Sequence, residues 1–80
     1  MNKGDNGMKK VYRLEDLDCA HCAARMEEKI SKVKGVIAGE VNFLAQQLVL
    51  EAEDVVFEKV LGEAAKICRK IEPDCRLIIK

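Results

Sequence analysis

Cys19 and Cys22, separated by two residues, are the side chains of this sequence best suited to chemistry. A thiolate, not a thiol, binds a soft metal or attacks a disulfide, so anything that eases ionisation makes the pair useful. The apolar residues Cys22, Met26, Ile30 and Val33 fall at helical spacing, which places Cys19-Ala20-His21-Cys22 where a loop enters a helix. Unpaired N–H groups and the helix dipole favour anions there, and both thiols are expected to ionise readily. Two intervening residues let a single backbone turn bring both sulfurs onto one ion. Asp18 precedes the pair and offers either a metal-binding carboxylate or a plain helix cap. His21 carries a good zinc ligand, but side chains between such cysteines usually point to solvent. Asp16 reads as a solvated turn residue.

Several chemistries compete for this motif. A closed four-thiolate zinc site needs a second pair at workable spacing. The other cysteines, Cys68 and Cys75, have six residues between them, Pro73 among these, and make a poor knuckle. Both read as small apolar core residues, with a mutual disulfide or a secondary ligand role as the alternative. Covalent haem attachment needs His directly after the second Cys, and residue 23 is Ala. A thiol–disulfide oxidoreductase, with Cys19 as nucleophile and Cys22 as resolving thiol, fits the motif alone. The thioredoxin-like fold normally needs a longer chain, however, and Pro73, the sole proline, lies in an unrelated turn. The leading reading is an open two-thiolate site on an exposed loop, suited to metal exchange.

The elements that must position this loop follow from periodicity. Val11–Leu14 reads as a strand with Tyr12 and Leu14 on one face, followed by the loop Glu15–Asp18. A helix over Ala20–Lys34 exposes Arg25, Glu28, Lys29 and Lys32, and Gly35 fits its C′ position. Val36–Phe43 is a strand interrupted at Gly39, and a turn around Leu44-Ala45-Gln46 leads to a third strand, Gln47–Glu51. Asp54 is the expected N-cap of a second helix that buries Val56, Val60, Leu61, Ala64, Cys68 and Ile71. Pro73 closes that helix, and Arg76–Ile79 is the last strand. The order β-α-β-β-α-β, with right-handed crossovers, predicts an α+β, ferredoxin-like fold: a four-stranded antiparallel sheet with both helices on one face.

Composition narrows the function classes. Of 80 residues, 49% are hydrophobic and 35% charged, which suits a small globular domain. Fourteen acids balance fourteen bases, so no basic excess is available for a nucleic-acid partner. No apolar run approaches the length of a spanning helix, and no signal-peptide pattern is visible. Four cysteines without secretory features suit a reducing compartment. Residues 1–7 read as a flexible polar lead or an added remnant, with Met8 an alternative start, and residues 8–80 as the domain.

Around the cysteines the chain resembles a heavy-metal-associated domain, the ferredoxin-like module of metallochaperones and of the N-termini of metal-exporting P-type ATPases. That family's signature, Gly-Met-x-Cys-x-x-Cys, stands here as Asp16-Leu17-Asp18-Cys19-Ala20-His21-Cys22. The resemblance covers roughly Met8 to Lys80. Leu17 replaces the usual Met and is expected to anchor the loop by packing into the core. Asp18 stands where copper-binding members usually carry Thr, and an Asp-Cys-x-x-Cys loop resembles the domains of zinc-, cadmium- and lead-exporting ATPases. The Ile71-Glu72-Pro73-Asp74 turn resembles them too. The chemistry agrees, because Cu(I) is satisfied by two thiolates whereas zinc and cadmium want more ligands and accept carboxylate oxygen.

The resemblance therefore implies a monomeric, non-catalytic domain on the cytoplasmic side of an inner or plasma membrane. Its cargo would be Zn(II), Cd(II) or Pb(II), bound by Cys19, Cys22 and Asp18, with His21, Cys68 and Cys75 secondary. Its partner would be the membrane transport domain of a parent ATPase, and an end at Lys80 fits excision from that chain. A soluble copper(I) metallochaperone of the same fold is the alternative.

Overall fold

The computed structural model describes residues 7–79. Four strands, β1 (Gly7–Glu15), β2 (Val36–Asn42), β3 (Gln47–Glu53) and β4 (Arg76–Ile78), alternate with helices α1 (Ala20–Ser31) and α2 (Phe57–Ile71) in the order β-α-β-β-α-β. The sheet runs β2-β3-β1-β4, with every neighbouring pair antiparallel. Along β3, Leu48, Leu50 and Ala52 are buried while Gln47, Val49, Glu51 and Glu53 are not, so one face carries the core. Ala23, Met26 and Ile30 of α1 and Phe57, Val60, Leu61, Ala64 and Cys68 of α2 pack onto that face. The ferredoxin-like fold expected from periodicity is the one observed.

Gly7, assigned to the polar lead by its neighbours, is the first residue of β1 and lies opposite Glu53. The rest of that lead, residues 1–6, and Lys80 lie outside the described residues. β1 is therefore longer than the expected Val11–Leu14, and its last residues pair with β4, Leu14 opposite Leu77 and Glu15 opposite Arg76. That pairing brings the start of β4 beside the loop leaving β1.

Helix ends differ from the periodic reading. The stretch expected to be helical to Lys34 stops at Ser31, because Lys32 N–H bonds Lys29 and Val33 N–H bonds Ile30, tightening the last turn. Gly35 is left-handed at φ 100° in the turn before β2 rather than at the helix C′ position. Asp54 does not cap α2 with its side chain. It opens a short 3-10 turn, Asp54–Val56, in which its carbonyl accepts the Phe57 N–H. The helix thus starts later than Asp54 suggests.

Close packing joins α1 to the sheet. A Cβ at Gly39 would stand 2.9 Å from Ile30 Cγ2, so glycine lets β2 pass directly beneath α1. Glu27 Oε1 accepts the Val41 N–H at 3.1 Å, satisfying a donor on edge strand β2 from the helix above. No helix among the described residues is long and apolar enough to cross a membrane.

Candidate metal centre

The two sulfurs sit at the first turn of α1, held by the helix itself. Cys19 is the N-cap residue, extended at φ −132° and ψ 112°, and its Sγ accepts the Cys22 N–H at 3.3 Å. Its carbonyl accepts the Ala23 N–H at 3.0 Å, the first helical bond. Sulfur thus replaces the oxygen of the usual Ser or Asp cap. Asp18, for which capping was the plain reading, is exposed and one residue too early for that role. His21 is also exposed, as expected for a residue between the cysteines.

The thiols are not equivalent. The Cys22 N–H, then the Cys22 side chain, hold the Cys19 thiol below its ordinary pKa; partial loss of solvent and the Glu72 carboxylate oppose this. Cys22 is pushed up to about 12 by its bond to the Cys19 sulfur, by loss of solvent and by Glu72. Ready ionisation, expected for both, therefore holds only for Cys19. The first thiolate takes the helix N–H groups, and a second negative charge would face both that thiolate and a carboxylate.

That carboxylate belongs to Glu72, which sequence reading noted only as part of a turn. Cys22 Sγ donates to Glu72 Oε1 at 3.4 Å. Glu72 ends α2, its N–H bonded to the Cys68 carbonyl and its carbonyl accepting the Cys75 N–H, each at 2.9 Å. Pro73 follows and turns the chain into β4. The ferredoxin-like topology carried the signal for this contact, since adjacent β1 and β4 put the β1–α1 loop and the α2–β4 turn at one end of the sheet.

Cys68 and Cys75 are fully buried, each a free thiol. Burial pushes Cys68 up to about 12, with Cys75 adding to the effect. Burial also raises Cys75, and Glu72, Asp16 and Asp18 face it closely enough to raise it further. The second thiol pair thus lies in the core under the loop, as small apolar residues do. Asp16, Asp18, Pro73, Asp74 and Arg76 line one shallow cleft beside it. Among the described residues, no three His, Cys, Asp or Glu side chains form a ready-made metal cage.

The loop between β1 and Cys19 is anchored by Leu17 and turned at Asp16. Leu17 is 3% exposed, so it packs into the core as expected for the residue replacing Met. Asp16 adopts φ 63°, a left-handed conformation that glycine takes more readily than other residues.

Residues 11–75 match the family described as heavy-metal-associated domain. The cadmium, zinc and cobalt-transporting ATPase of Bacillus subtilis (strain 168) is 32% identical over 66 residues, 82% of this chain and 9% of the ATPase. The copper chaperone CopZ of Enterococcus hirae is 33% identical over 64 residues, 80% of this chain and 86% of the chaperone. Among solved structures, the Cu(I)-loaded N-terminal domain of a potential copper-translocating P-type ATPase from Bacillus subtilis aligns with a TM-score of 0.69 at 25% identity. That alignment covers 89% of this chain and 86% of the other. The chain therefore spans less than a tenth of the transporting ATPase's length and most of the chaperone's.

Proposed function

The chain belongs to the heavy-metal-associated domain family, and from that membership we propose that its cargo is a soft divalent cation, Zn(II), Cd(II) or Pb(II). It would pass this ion to, or use it to regulate, a metal-exporting P-type ATPase whose N-terminal cytoplasmic domain it forms. The supporting observation is the Glu72 carboxylate against the Cys22 thiol, beside Cys19. With Zn–S near 2.3 Å and Zn–O near 2.1 Å, tetrahedral geometry separates a sulfur and an oxygen ligand by about 3.6 Å. The Cys22–Glu72 separation is 3.4 Å. A divalent ion bridging the two would displace the proton they share.

Two thiolates would neutralise a divalent charge, and carboxylates from Glu72 and Asp18 would complete four donors once the loop closes on the ion, since no ready-made cage stands among the described residues. Cu(I) has no need of the added oxygens. The Cys22 proton is displaced by the ion itself, so apparent affinity rises with pH. Exposure of Asp18 and His21 leaves the loop open to an exchange partner. A copper(I) metallochaperone is the second reading, supported by the near full-length match to CopZ.

Titration with Zn(II) and Cd(II) under reducing conditions should give one ion per chain, and Cys19→Ser should abolish tight binding. Asp18→Ala should weaken Zn(II) far more than Cu(I); equal loss, or none, would remove Asp18 from the ligand set. Tight Cu(I) binding without measurable Zn(II) affinity would overturn the divalent cargo and favour the copper(I) reading instead. Turnover of a disulfide substrate by the metal-free chain would indicate a thiol–disulfide enzyme.

A further inference from the structure

Leu17 stands two residues before Cys19, and both of its main-chain polar groups are held by one side chain from elsewhere in the fold. The Leu17 N–H donates to Gln46 Oε1 at 3.1 Å, and Gln46 Nε2 donates to the Leu17 carbonyl at 2.6 Å. This is the donor and acceptor complement that a neighbouring strand would offer. β1 ends at Glu15 and the left-handed Asp16 turns the chain away from the sheet, so no strand is there to offer it. The side-chain amide of Gln46 takes its place.

Two further bonds set that amide. Nε2 also donates to the Phe43 carbonyl at 2.9 Å, which fixes which end of the amide faces the Leu17 N–H. The Gln46 carbonyl accepts the Leu14 N–H at 2.8 Å, so one residue grips the chain on both sides of Asp16. Gln46 itself is left-handed at φ 56°, a conformation that Gly or Asn adopts more readily. Glycine has no arm, and asparagine is one methylene too short to span the same distance. The hairpin turn between β2 and β3 therefore holds a strained residue whose side chain serves a different loop.

We propose that Gln46 is a positioning residue for the metal loop: its amide fixes the Leu17 peptide, and so the direction from which Cys19 approaches the cation. Packing of the Leu17 side chain alone fixes where the loop lies but leaves its peptide planes free to rotate. With Leu17 clamped at both polar groups, only Asp18 separates the fixed segment from the N-cap Cys19. Loop order present before the ion arrives lowers the ordering cost of binding it and so tightens binding.

The proposal rests on the cation-binding reading, and its test separates the two. Gln46→Met keeps the length of the side chain without its polar groups. Gln46→Gly removes the arm while suiting the left-handed turn, so the hairpin is preserved. In both metal-free variants, amide hydrogen exchange at Leu17 should accelerate about tenfold or more. The Cd(II) dissociation constant should rise about tenfold, within the range seen when partners that orient metal ligands are lost. Melting of Gln46→Gly should stay close to wild type, and Gln47→Met, at the exposed neighbour, should change none of these quantities.

Unaltered Leu17 exchange would show that there is no clamp. Faster exchange with Cd(II) affinity within twofold of wild type would show a clamp without a positioning role. A wild-type chain that takes up no Cd(II) would fail the cargo reading itself, and this proposal with it.

Discussion

Replacing Glu72 by Gln tests whether the carboxylate beside Cys22 binds the ion or merely supports the loop. The substitution is nearly isosteric and retains an acceptor oxygen for the Cys22 thiol, now 3.4 Å from Glu72 Oε1. It removes one negative charge and the oxygen best suited to a divalent cation. Losing even an outer partner of a metal ligand costs about 10- to 100-fold in metal affinity, or roughly 1.4–2.7 kcal/mol, and a direct donor should cost at least that. An opposing effect comes from the same atoms. Glu72 is one cause of the raised Cys22 pKa, so its neutralisation eases loss of the Cys22 proton to any metal. For Zn(II) and Cd(II) the lost oxygen outweighs this gain. For Cu(I), which has no use for the oxygen, only the gain remains. Affinities for Zn(II), Cd(II) and Cu(I) should therefore diverge, the first two falling and the third holding or rising slightly. Competition against a chromophoric chelator at fixed pH under reductant measures all three, with thermal melting of the metal-free chain as the control for folding. Equal losses for Zn(II) and Cu(I) would show that Glu72 acts through loop structure. No loss for any metal would remove it from the site altogether.

Two stability predictions follow from packing and from the buried thiols. Gly39→Ala puts a Cβ 2.9 Å from Ile30 Cγ2 and should destabilise the chain by about 1–3 kcal/mol in urea unfolding, an effect that Ile30→Leu, which lacks that methyl, should partly relieve. An unchanged midpoint would show that α1 and β2 separate freely. The Cys68 thiol has a folded pKa of about 12 against an unfolded value near 8.5, so its contribution is fully present below about pH 8.5. As pH rises from there toward 12 that contribution is lost, at up to about 1.4 kcal/mol per pH unit. Cys22 acts in the same direction, so Cys68→Ala should reduce the alkaline loss of the metal-free chain without abolishing it. A slope unaltered by Cys68→Ala would mean that this thiol ionises without unfolding.

Much of the molecule was legible along the chain because the deciding interactions are local. Alternation at Leu48, Leu50 and Ala52 marks a one-sided strand, and Met26 and Ile30 mark a helix face; each pattern follows from the backbone's own repeat. The cysteine pair at a helix entrance was legible for the same reason, since its spacing and the helix beginning share one turn. Helix ends were harder. A cap depends on which of several adjacent groups reaches the first free N–H, and Cys19 sulfur, not the Asp18 carboxylate, does so.

What tertiary structure alone decided is the surroundings of the pair. Gln46 reaches Leu17 across 29 positions of chain, and Glu72 reaches Cys22 across 50. Neither contact leaves a trace in local periodicity, because each exists only once β1 lies between β3 and β4. The same assembly makes the thiols unequal, placing a carboxylate against one sulfur and helix N–H groups against the other. The chemistry of the site is thus written in two cysteines with two residues between them, but its charge, geometry and order come from segments that meet only when the sheet closes.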